Sequence, residues 1–165
     1  MIFIFFHIIL CILFIRLMEQ MKREDQFLSM QKLIKKFSTF MEIKVQENVL
    51  GEDLEECSNS PLTGWFRDGC CNTDKNDHGA HTVCAKVTTE FLEWLREAGN
   101  DLITPHPEFG FPGLKDGDGW CVCASWYAKA VKAGKGCPIF LKRTHKNTLK
   151  YLPIKTLKKF AIDLS

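Results

Sequence analysis

The stretch GWFRDGCCNTDKNDHGAHTVCA, residues 64–85, crowds three cysteines and two histidines among glycines and short polar residues. Groups this close in sequence serve as metal ligands, as reactive thiols or as small buried side chains, and each use demands a different local fold. WCVCA, residues 120–124, adds two cysteines, while Cys57 and Cys137 stand singly. Eight cysteines in 165 residues is a high count, so the redox compartment decides what they become.

The N-terminus bears on that compartment. MIFIFFHIILCILFI is apolar except for His7, and Arg16 ends it. As a helix, Ile2 to Ile15 spans roughly 21 Å, short of the roughly 30 Å hydrocarbon core. Extension to Met18, with Arg16 snorkelling, gives a marginal anchor over residues 2–18. No positive segment precedes the run and no small-residue cleavage site follows, unlike a cleaved signal peptide. Arg16, Lys22 and Arg23 follow it, which puts the remainder on the cytoplasmic side and favours reduced cysteines. Between Glu24 and Lys44, Phe27, Met30, Ile34, Phe37 and Met41 recur at helical spacing. Residues 1–44 therefore read as a helical extension, membrane-associating through residues 1–41 or a mis-assigned start. Residues 45–165 read as one cysteine-rich domain.

Within that domain, residues 49–80 carry turn-forming residues. HTVCAKV, 81–87, reads as a strand. Thr88 or Thr89 can cap a helix over 90–98, with Phe91, Leu92, Leu95 and Ala98 as its buried stripe and Gly99 as its stop. A loop of some twenty residues, NDLITPHPEFGFPGLKDGDG, is long enough to be functional or to wrap the surface. WCVCA starts a second strand, SWYAKAVKAG is a helix, and CPIFLKRT, 137–144, a third strand. Thr144 can cap a short helix through Tyr151, and Pro153 can open a last one. The expected fold is α+β: a small mixed sheet packed with three or four short helices, plus the N-terminal helical extension.

Charge is uneven: Val45 to Leu141 holds 8 basic and 15 acidic residues, whereas Lys142 to Lys159 holds 7 basic and none acidic. No aromatic interleaving or groove-reading motif accompanies the basic tail, so no nucleic-acid partner is expected. KDGDG, 115–119, lacks the spacing and distal glutamate of a calcium loop. Trp65, beside RDGCC, could line a cleft.

Two chemistries compete for the cysteines. Zinc takes four N or S ligands, and Cys70, Cys71, His81, Cys84, Cys121, Cys123 and His145 offer a subset. Alternation places Cys121 and Cys123 on one strand face but turns His81 and Cys84 to opposite sides. In the other chemistry Cys70 or Cys71 is a catalytic or redox thiol on the RDGCC turn, with Arg67 lowering its pKa, His81 or His145 as base and Asp68 orienting it. A pair of adjacent cysteines bonds more easily elsewhere than to itself, for instance to Cys57 or Cys84.

NVLG (48–51), PLTGWFRDGCCNT (61–73), HTVCA (81–85), GNDLITP (99–105), FPGL (111–114), WCVCA (120–124) and TH (144–145), in that order, closely resemble the family known as domain of unknown function 2237. The likeness covers about residues 45–164. It implies a small α+β fold and brings no activity, ligand or catalytic residue. The family pattern includes cysteines matching Cys57, Cys70, Cys71, Cys84, Cys121 and Cys123, with His81 and His145. Cys137 departs from it, as does Gly119, where a basic residue is usual. The expected function is a cytosolic zinc-binding module built on the RDGCC turn. The alternatives are a thiol-dependent enzyme or redox protein using Cys70 or Cys71, and a binding module using the long loop.

Overall fold

The computed structural model describes residues 46–164, so the readings made of residues 1–44 lie outside the described residues. Two strands, β1 (His81–Lys86) and β2 (Gly119–Cys123), pair antiparallel at the centre. Around them lie α1 (Thr89–Glu97), α2 (Ala124–Lys132), the single turn α3 (Ile154–Leu157), and 3-10 turns at Pro107–Phe109 and Lys146–Lys150. This is a small α+β fold. Among the described residues no helix is long and apolar enough to cross a membrane.

Local chemistry accounts for the elements. Thr82 to Ala85 are fully buried, so β1 is covered on both faces and reads as an unbroken run. The Thr88 hydroxyl accepts from the Phe91 N–H, and Phe91, Leu92 and Leu95 turn inward from α1. Ala98, expected in that stripe, is exposed because it forms the C-cap beyond the last buried turn. α2 buries Ala124, Tyr127 and Ala130, and the Tyr127 hydroxyl donates to the Cys137 carbonyl at 2.6 Å. Leu157 anchors α3 in the same core.

Two expectations need correction. CPIFLKRT is not a strand: it touches β1 through a single bridge, Ala85 to Ile139. The Asp163 carboxylate takes the N–H groups of Leu141 and Lys142, each at 2.9 Å, which a ladder would have used. Nor does Thr144 cap the following helical turn. Its hydroxyl accepts from the Cys84 N–H and donates to the Phe140 carbonyl, while His145 caps Lys146–Lys150. The long loop wraps the surface as expected, driving Phe111 and Leu114 into the core.

Asn48, 1% exposed, ties the start of the domain to its C-terminal half. Its amide donates to the carbonyls of Asp53 and Lys142, and its oxygen accepts from the N–H groups of Leu50 and Glu52. All of its bonding capacity is used. Asn48→Ala would leave a cavity and four partly buried backbone groups without their partner, and we expect a loss of about 1–3 kcal/mol in urea unfolding. A loss under about 0.5 kcal/mol would show that water replaces the amide.

Candidate functional site

Sulfur gathers along β2. Cys84 and Cys121 face each other across the two strands, and their N–H groups point outward to the buried hydroxyls of Thr144 and Thr63. Cys84 is disulfide-bonded to Cys57, and Cys121 to Cys71. The Sγ atoms of Cys57, Cys71 and Cys121 all lie within 4.8 Å of one another, buried. The two disulfides thus form one sulfur cluster, with Phe140 packed against it. A cytoplasmic orientation had favoured reduced thiols; the structure pairs these four.

Cys70 stays outside the cluster. Its N–H donates to Asp68 Oδ1, and Asp68 Oδ2 accepts from the Asn72 amide, so Asp68 shapes the turn and orients no histidine. Gly69, at φ +82°, packs under the turn against Asn59, where any side chain would collide. Arg67 does not lower the Cys70 pKa: it donates to the Leu62 carbonyl and lies over the Trp120 ring. Burial, then Asp68 and Glu56, push the Cys70 thiol up instead. Cys71 offers no thiol while bonded to Cys121. The buried Cys137 thiol is pushed up to about 12 by burial and belongs to the core.

His81 has a different neighbourhood. Its Nδ1 lies 2.6 Å from Asp77 Oδ1, while Asp77 Oδ2 accepts from the Thr73 hydroxyl and the His81 N–H. Burial opposes ionisation of Asp77, but the hydrogen bonds from His81 and Thr73 outweigh it and hold the carboxyl below its ordinary value. An ionised carboxylate only accepts, so Nδ1 carries the proton and Nε2 is left as the base-capable atom.

Cys123 stands opposite His81. Four pairs, from Lys86–Gly119 to Val83–Val122, keep one register, which if continued would set Thr82 against Cys123; an irregularity sets His81 there instead. Thr82 is held by Thr148, whose hydroxyl donates to it, and by His145, whose N–H donates to its carbonyl. Ala80, at the unusual φ of +49°, accepts at its carbonyl from both Thr82 and Ala124, locking the start of β1 to the start of α2. A methyl group on Gly79 would come within 2.7 Å of His81 Cε1 and 3.1 Å of Cys123 Sγ, so ring and sulfur flank one point. Burial, then Asp77, push the Cys123 thiol up to about 11.

Both groups open onto a cleft of about 420 Å³ lined also by Trp65, Arg67, Phe111 and Trp120. Of the residues singled out from sequence, His81, Cys121 and Cys123 line it, and Trp65 stacks on His81. Asp77 was missed. Its signal was the four-residue spacing of Asp77 and His81, which in a loop has no fixed geometry and is invisible without the fold.

His145 lies elsewhere, 4% exposed, its Nδ1 accepting from the Asn147 N–H. Burial, then Lys146 and Lys150, lower its pKa to about 4.

A small α+β domain with a paired-sulfur cluster beside an aromatic, histidine-bearing cleft is the class that these features define. Residues 47–161 match the family described as an uncharacterized protein conserved in bacteria, DUF2237, and the chain belongs to that family. No curated protein matches the chain.

The His145 environment makes stability pH-dependent. The unfolded chain takes up this proton near pH 6.5, the folded chain only near pH 4, so stability falls as pH drops through that window. The loss attributable to His145 is up to about 3 kcal/mol. His145→Asn, which keeps a capping acceptor, should flatten this part of the profile in denaturant titrations between pH 7 and pH 4. An unchanged slope would show that other groups cause it.

Proposed function

We propose that the domain is a thiol-dependent enzyme whose reactive centre is Cys123, His81 and Asp77. One observation carries the reading: the cross-strand placement of Cys123 against a histidine whose other nitrogen is held by a buried carboxylate, at a cleft. Cys123 also ends β2 and N-caps α2 with no side-chain hydrogen bond of its own. A nucleophile at a strand-to-helix junction lies at the positive end of the helix dipole, which favours developing negative charge.

The raised thiol pKa means that the resting centre is neutral, so activation is by general base. In acyl transfer, Sγ attacks the acyl carbon while His81 Nε2 takes the thiol proton and passes it to the leaving group. The thioester then reacts with water, which gives a proton to Nε2 and restores the thiol while releasing the acid. Asp77 keeps the ring in the tautomer this requires. The enzyme reading thereby moves from Cys70 or Cys71 to Cys123, keeps His81 and exchanges Asp68 for Asp77.

Para-nitrophenyl acetate tests this reading, with one equivalent of nitrophenolate expected per Cys123. Cys123→Ser should abolish the burst, His81→Ala should slow it by about 10²–10³-fold and Asp77→Asn by about 10-fold or more. Gly79→Ala, which wedges ring and sulfur apart, should slow it as well. Acylation of the His81→Ala variant at the wild-type rate would refute the proposal.

A second reading rests on the sulfur cluster. With both disulfides reduced, Cys57, Cys71, Cys84 and Cys121 supply four sulfurs that converge from two strands and two turns. A zinc ion with Zn–S near 2.3 Å wants sulfurs roughly 3.8 Å apart. Each bonded pair, at 2.03 and 2.06 Å, would therefore open on reduction, while the Cys57, Cys71 and Cys121 sulfurs already lie within 4.8 Å of one another. The RDGCC turn then contributes Cys71 alone, while Cys70, Cys123, His81 and His145 stand outside the set. A reducing compartment favours this state and an oxidising one the disulfides. Protein reduced by a phosphine without oxygen should take up one zinc per chain, Cys71→Ser should lose it, and the oxidised protein should take up none. Folded, reduced protein that binds no zinc would end this reading.

A further inference from the structure

The walls of the cleft bear on what the Cys123 centre acts on. Trp65 stacks on His81 with centroids 5.7 Å apart and planes 17° from parallel, and His106 stacks on Phe111 at 6.4 Å and 19°. Trp120 packs on Phe111 at 5.3 Å. All of these line the cleft. An aromatic, apolar wall of this kind favours a flat conjugated body, which packs at small entropic cost.

The charges are one-sided. Asp101, the carboxylate on the wall, is consumed by its own turn: Oδ1 accepts from the N–H groups of Ile103 and Thr104, and Oδ2 from the Thr104 hydroxyl. Asp77, behind His81, is likewise committed to His81 and Thr73. Arg67 is not. Its side chain makes one hydrogen bond, from Nη1 to the Leu62 carbonyl at 3.1 Å, and its guanidinium lies 5.3 Å from the Trp120 ring centre at the exposed rim. A planar guanidinium with unused N–H groups matches a carboxylate in two-point geometry, and stacking on Trp120 fixes its plane. The Asn100 amide, also on the wall, adds a neutral polar group with no partner among the described residues.

We propose, on the reading of this cleft as the reactive centre, that its substrates are flat conjugated acyl compounds bearing a carboxylate. The aromatic wall takes the flat body and Arg67 takes the carboxylate, leaving the acyl carbon to Cys123.

Ligand-observed NMR on the full chain, with benzoate, benzamide and cyclohexanecarboxylate as probes, tests the ligand class without any acylation. Benzoate should bind at least about tenfold more tightly than either other probe, since one lacks the charge and the other the flat ring. Arg67→Gln should erase the preference for benzoate over benzamide, and Arg67→Lys, which keeps the charge, should retain part of it. Equal binding of benzoate and benzamide, or an undiminished preference in Arg67→Gln, would overturn the proposal. The two readings fail separately. Selective benzoate binding alongside unchanged acylation by the His81→Ala variant would sink the reactive centre and leave the ligand class standing. Unselective binding with His81-dependent acylation would do the reverse.

Discussion

The register of β1 against β2 governs the rest of the molecule. Setting Cys84 opposite Cys121 brings two disulfides, which reach out to distant turns, into one buried layer. One step along the ladder, the irregularity at Thr82 turns His81 toward Cys123. A slip of one residue would move every side chain of a strand to the other face, so the sulfur layer and the cleft are fixed by one pairing. Thr82 is accordingly over-determined, bonded to Ala80, Thr148 and His145.

The disulfides also explain how residues 49–80, which form neither helix nor strand, stay ordered. Cys57 and Cys71 tie this stretch to β1 and β2 across 27 and 50 residues of chain, and such closures remove much of the unfolded chain's freedom. The RDGCC turn gains a fixed position that Gly69 and Asp68 refine. Trp65 and Arg67, just before the anchored Cys71, are thereby held against His81 and Trp120. Four of these cysteines are bonded in the buried cluster, whereas Cys123 keeps its thiol at the cleft.

Much of the fold was legible in the chain. The strand at HTVCA, the Thr88 cap, the Phe91–Leu95 stripe and the glycine stops rest on interactions within a few residues of each other. CPIFLKRT departs from a strand because the N–H groups of Leu141 and Lys142 go to Asp163, some twenty positions away, and no local pattern reveals that partner. At the site, His81 and Cys123 were each visible as chemistry-bearing residues, but their pairing was not. Strict alternation is the only inference a strand sequence licenses, and the irregularity at Thr82 breaks it. Asp68 looked like the orienting acid because it adjoins the cysteines, whereas Asp77 holds the ring from four residues before it.

The sequence by itself determined the family, the α+β class, the Thr88 cap and the set of thiols and imidazoles available for chemistry, since these follow from local spacing and side-chain type. Tertiary structure alone decided which sulfurs pair, which thiol stays free beside a histidine, and which carboxylate orients that histidine. Those outcomes depend on strand register and on contacts between segments tens of residues apart, and a linear pattern carries no information about either.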